Sequence, residues 1–223
     1  MEKKYRNIGF YFLSLVIFIA LGFYYPYFSL FPAFPAVTFI VHFHTLILLT
    51  WVFILIGQPL LVRFGRYKAH RILGKTTYVL MPLVILTCLG VMRQQYAREI
   101  RNNISPMASL KSLFTSFTAI ASIVIFYALA ILNIRKGNVA LHLRYMICLF
   151  LEFIPPTLGR TLGYWLNMKQ THTHSISILV GAAIIVWLLL SDKRKNENYS
   201  PYIVALSLYF IFTASWAVIG YPL

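Results

Sequence analysis

Seven runs of mainly apolar residues, most of them about as long as a bilayer is thick, constrain the fold of this chain more than any other feature. They cover residues 8–24, 37–62, 72–92, 110–132, 141–162, 175–190 and 202–219. At about 1.5 Å of rise per residue, helices of this length cross all or most of a hydrocarbon core roughly 30 Å thick. The expected fold is all-α: a polytopic membrane protein in which seven transmembrane helices form one domain over residues 1–223. Composition agrees, since 60% of the residues are apolar and 11% are charged, against about 25% charged in soluble domains. The first run follows Met1-Glu-Lys-Lys-Tyr-Arg6 without a small-residue cleavage signal, so it reads as a retained span or, equivalently, an uncleaved signal anchor. The sixth is the shortest and can borrow length from the segment before it.

The formal net charge is +15. The basic residues lie in short inter-helix segments rather than on one soluble face, which points to topology and anionic lipid and away from nucleic acid. An inside amino terminus places Lys3, Lys4, Arg6, Arg63, Arg66, Lys68, Arg71, Lys75, Arg135, Lys136, Arg144, Lys193, Arg194 and Lys195 inside. Arg93, Arg98, Arg101, Lys111, Arg160 and Lys169 then remain outside. Fourteen against six is a positive-inside bias, and it predicts an outside carboxyl terminus. Residues 25–36, with Pro26, Pro32 and Pro35 among aromatics, read as an outer interfacial belt. Residues 191–200 read as an inner charged turn, and 93–109 as a polar stretch able to form a surface helix. Cys88 and Cys148 both fall inside spans, so no disulfide is expected.

Six histidines fall near the two membrane edges, and imidazole suits a haem iron or a transition metal at neutral pH. His42, His44, His172 and His174 form an outer tier. On a regular helix His42 and His44 point about 200° apart. His44 is the inward one, because Trp51 and Gln58 follow it at sevens; His42 shares its side with Leu49 and Ile56, which face lipid or a neighbouring helix. His172 and His174 precede their span and, in extended chain, both reach inward. Two imidazoles on facing helices suit haem b; three or four suit zinc, copper or non-haem iron.

The inner tier is His70 and His142, beside Arg71 and Arg144, whose guanidinium groups suit haem propionates. Both histidines sit in an Arg-x-Gly-x4-His pattern repeated 72 residues apart, at Arg63–His70 and Arg135–His142. This suggests a duplicated two-helix unit. Glu152 is the acidic residue well inside a span, with Tyr145 and Gly159 at sevens around it. Intramembrane carboxylates normally face the bundle interior and serve as proton relays or ligands. Pro155 and Pro156 predict a kink directly after it, and Arg160 is placed to pair with it or with an anionic head group. Ser109, Ser112, Ser116 and Ala119 mark a face suited to close helix packing. There is no hydrolase or phosphate-cradling motif.

His42-Phe-His44, Trp51, Gln58 and Lys68-Ala-His70-Arg71-Ile-Leu-Gly74 resemble a family of uncharacterised bacterial multi-span membrane proteins. Leu141-His142-Leu-Arg144-Tyr-Met146 and Pro155-Pro156-x-x-Gly159-Arg160 look like a second block of the same pattern. The resemblance implies a multi-pass protein of the bacterial inner membrane. More loosely, histidines near both ends of adjacent helices look like the ascorbate-reducible b-type transmembrane cytochromes, which implies two haems and electron transfer. The chain departs from that pattern where His172 and His174 precede their span and His70 lies in a loop. The leading expectation is a histidine-based haem or metal site near the outer face, serving electron transfer or supporting a respiratory or redox partner. A metal-dependent hydrolase or oxygenase, and a non-enzymatic transporter or assembly factor, are the alternatives.

Overall fold

A computed structural model describes residues 5–219, and the side chains of all of these but 111, 115, 212 and 214–219. Lys3, Lys4, the side chain of Lys111 and the carboxyl terminus, all used in the charge count or topology, lie outside the described residues. The helices are α1 (Ile8–Tyr24), α2 (Phe39–Arg63), α3 (Tyr67–Arg101), α4 (Pro106–Arg135), α5 (Val139–Leu151), α6 (Ile154–Leu166), α7 (Gln170–Lys193) and α8 (Ser200–Ile219). Among the described residues five stretches are long and apolar enough to cross a membrane: α2, α3, α4, α7 and the pair α5–α6 over Val139–Leu166. Two shorter apolar helices, Ile8–Tyr24 and Ser200–Ile211, complete the set. Large apolar side chains such as Phe39, Phe53, Leu86, Trp187 and Phe210 stand exposed, which suits a hydrocarbon solvent. The chain is an integral, multi-pass, all-helical membrane protein.

The chain forms two compact units, one of residues 1–14 and 32–120 and one of 15–31 and 121–223. In the first, α2 and α3 make an antiparallel hairpin that buries Trp51, Val52, Leu55 and Ile56 with Leu80, Met81 and Val84. Ile56, assigned to lipid or a neighbouring helix, is buried at 4% exposure and takes the second course. Thr38, the residue before α2, donates its hydroxyl to Gln94 Oε1 at 2.7 Å and so ties the start of α2 to α3. The polar stretch after residue 93 is no separate surface helix, because α3 runs on unbroken to Arg101. Arg, Gln, Ala and Glu are good helix formers, and Gln95 supports the extension by donating to Glu99 Oε1 four residues on, at 2.9 Å.

In the second unit, α6 packs on α7, α7 on α8, and α5 on α8. The expected kink falls between α5 and α6, at Glu152 and Phe153, which keep right-handed helical angles while their N–H groups bond three residues back instead of four. Pro155 and Pro156 fall in the first turn of α6, where the missing N–H groups leave no intrahelical bond unmade. The heptad of Tyr145, Glu152 and Gly159 therefore ends at Glu152, and Gly159 sits on α6 against Ser177 of α7. α7 begins at Gln170 and does take length from the segment before it. Near one end Tyr25 packs on Trp165 and Tyr164 at ring separations of 5.1 and 5.8 Å, while Trp165 Nε1 donates to Leu21 O at 3.0 Å.

Gly22 marks the closest approach in this unit. A Cβ there would lie 2.6 Å from the carbonyl oxygen of Thr157. Gly22→Val is expected to destabilise the protein by roughly 1–3 kcal/mol through overpacking. A lowered midpoint of thermal unfolding in detergent checks this.

Candidate functional site

On α5, residues four apart share a face. Arg144, Cys148 and Glu152 therefore form one column, and all three are buried. Arg144 has no exposed side-chain surface, and its Nε donates to Asp192 Oδ2 at 2.6 Å, also fully buried. Its Nη1 donates to Ala140 O at 3.2 Å and its Nη2 to Glu197 Oε2 at 3.4 Å. The guanidinium that the sequence assigned to a haem propionate is thus committed to the end of α7 and the turn beyond it. Four residues on, Cys148 Sγ donates to Pro201 O at 3.6 Å, which fastens α5 to the start of α8.

Glu152 closes the column at the kink. It is 6% exposed, and its Oε1 has no hydrogen-bond partner among the described residues. The Cys148 thiol and the Tyr209 hydroxyl of α8 both lie within its electrostatic range. Tyr209 is itself buried, its hydroxyl also lacks a partner among the described residues, and its ring fits because Gly181 of α7 has no side chain. A Cβ on Gly181 would lie 2.9 Å from that hydroxyl. Arg160 does not close an ion pair with Glu152. It donates instead to Pro156 O at 2.9 Å and covers the Phe23 ring at 4.7 Å. The site so formed is an acid with two weak-acid neighbours in a water-poor interior, an arrangement able to accept and pass on a proton.

Each tier is divided between the two units, with His42, His44 and His70 in the first and His142, His172 and His174 in the second. His172 and His174 do not form extended chain. Both lie in the first turn and a half of α7, so they point about 200° apart, with His172 exposed and His174 half-buried. His42 packs edge-on against Phe34 at 4.9 Å. His44 lies within 3.2 Å of Thr87 Oγ1 of α3 through Nδ1. That hydroxyl also lies 3.0 Å from Val84 O. Trp51 and Gln58 on the same stripe are buried.

His70 is not in a loop but in the first turn of α3, and His142 holds the same place in α5. The likeness extends to the preceding turns. Gly65 and Gly137 take left-handed conformations, φ +70° and +78°, that glycine adopts without strain. Each closes its helix with a Schellman pair: Gly65 N to Val62 O with Arg66 N to Leu61 O, and Gly137 N to Ile134 O with Asn138 N to Asn133 O. In both copies the histidine faces the backbone of the helix before. His142 Nδ1 donates to Ala130 O at 2.9 Å. The residue at Ala130's place in the first copy is Gln58, whose backbone interacts with the His70 ring and whose Nε2 donates to His70 O at 3.2 Å. Arg71 is exposed.

Among the described residues no three His, Cys, Asp or Glu side chains group as a metal ion needs. Sequence reasoning missed two polar contacts. Asp192 was counted only as part of a charged turn, and Ser112 only as a small packing residue, whereas its hydroxyl donates to the Glu99 carboxylate at 2.9 Å. The surplus of positive charge was the signal for Asp192, since few carboxylates are available to any buried guanidinium.

Removing one member of the buried pair leaves the other charge stranded. Arg144→Leu is expected to cost about 3–5 kcal/mol, and the double change Arg144→Leu with Asp192→Leu clearly less. Denaturation of detergent-solubilised protein compares the two. The chain matches no family model, no curated protein and no solved structure.

Proposed function

We propose that this protein is a proton-coupled membrane carrier or assembly factor in which Glu152 takes up and releases the proton. The observation that carries this reading is the Glu152 carboxyl, buried at the kink between α5 and α6 with an oxygen that no described group satisfies. Such a group is costly in an apolar interior and is found where protons or ions pass. The kink supports the assignment, because irregular backbone at membrane depth is kept inside the protein, where a working acid also has to sit. We place the chain in the bacterial inner membrane with an inside amino terminus and an outside carboxyl terminus, supported by the positive-inside bias. In vesicles carrying an internal pH indicator, purified protein is expected to pass protons. Glu152→Gln is expected to fall to the level of protein-free vesicles, while Glu152→Asp retains part of the flux. Unchanged flux in Glu152→Gln would remove the reading.

A second reading, haem b held by histidine for electron transfer with a redox or respiratory partner, draws on a different observation. His44 and His142 are both oriented through Nδ1, which lies 3.2 Å from the Thr87 hydroxyl in one and 2.9 Å from the Ala130 carbonyl oxygen in the other. Metal-binding imidazoles are held this way. Bound haem would supply one-electron chemistry; the chain's own part is to fix these rings. Protein purified from haem-supplied cells is expected to show a Soret band that His142→Ala and His44→Ala each reduce. Elemental analysis of the same sample tests the metal-dependent hydrolase or oxygenase alternative. A featureless spectrum with no stoichiometric metal contradicts both.

A further inference from the structure

The end of the α2–α3 hairpin carries an open groove of about 700 Å3, lined by Gly57, Leu60, Leu61, Phe64, Arg66 and Leu73. Five of these are apolar or lack a side chain, and the sixth is a cation at one end. Phe64 is 66% exposed and walls the groove without being part of the core. Gly57 keeps it open, since a Cβ there would meet nothing within 4 Å.

Charge decides what fits. Between residues 57 and 75 the chain has Arg63, Arg66, Lys68, Arg71 and Lys75 and no acidic residue. Arg63 is engaged, donating to Asn7 Oδ1 and Arg6 O and lying over the Phe10 ring. Arg66 is exposed and makes no side-chain hydrogen bond or ion pair among the described residues. An apolar trough ending in an uncompensated guanidinium, on a protein that sits in lipid, is complementary to a molecule with an acyl chain and an anionic head.

We infer that this groove is a binding site for an anionic glycerophospholipid, with an acyl chain along Leu60, Leu61 and Leu73 and the phosphate at Arg66. The site is independent of Glu152 and of any histidine ligand. It goes beyond general lipid solvation because it selects a head group. Lys68, Arg71 and Lys75 add to the positive field without being required to touch the lipid.

The test uses the full chain in nanodiscs and compares phosphatidylglycerol with phosphatidylcholine by native mass spectrometry. Wild type is expected to prefer phosphatidylglycerol by at least about fivefold, the effect of one basic residue at such a surface. Gly57→Trp fills the open space and raises helix propensity, so it folds, and it is expected to lose retained lipid of both kinds. Arg66→Gln is expected to keep a bound lipid but lose the preference. Equal binding of both lipids by wild type overturns the inference. So does a Gly57→Trp protein that binds as wild type does, or a preference that survives Arg66→Gln. Displacement by excess inorganic phosphate also overturns it, since that would make the site an anion site without a lipid. Should Arg66→Gln fail to fold, the wild-type preference and the Gly57→Trp result still decide.

Discussion

A guanidinium without solvent has to be neutralised where it sits, and the second unit is arranged around that requirement. Arg144 is fully enclosed and its Nε meets Asp192 at 2.6 Å. Isolated, either charge would cost several kcal/mol in such surroundings. Together they fix where the end of α7 lies against the start of α5. Glu197 adds a partly exposed third member, and its backbone N–H returns to Asp192 O at 3.0 Å, so the turn between α7 and α8 folds around the pair. The register of α8 follows, with Cys148 reaching Pro201 O and, further along, Tyr209 seated against Gly181 of α7. A structural ion pair at one end of α5 thus places an unsatisfied acid at the other.

The turns before α3 and α5 show what repetition holds constant and what it leaves open. Both use glycine at positive φ, the same Schellman closure, and a histidine in the first turn of the following helix. These features depend on backbone geometry and are shared. Each histidine also meets the backbone of the equivalent residue in the helix before, Ala130 for His142 and Gln58 for His70. Gln58 adds a side-chain bond to His70 O that Ala130 cannot make.

Much of the fold was legible in the sequence because hydropathy measures the quantity that decides membrane insertion. The apolar runs, the inward stripe of Trp51 and Gln58, the interruption near Pro155 and the lengthening of α7 all follow from local composition and helical phase. The candidate site was less so. Glu152 stood out as a carboxylate inside an apolar run, but its neighbours did not, since Tyr209 and Gly181 are distant in sequence and ordinary in type. The Arg144–Asp192 pair joins residues 48 apart, and nothing in either segment names the other. The phase of His172 and His174 turned on whether α7 starts before or after them. Moving a helix start by a few residues turns side chains from convergent to divergent, which hydropathy cannot resolve.

The central claim is that Glu152 changes protonation inside the protein. Infrared difference spectroscopy between acidic and alkaline samples reads carboxyl groups directly. The account predicts a reversible carboxyl signal in the wild-type protein that is missing from Glu152→Gln. Identical difference spectra for the two proteins would contradict it.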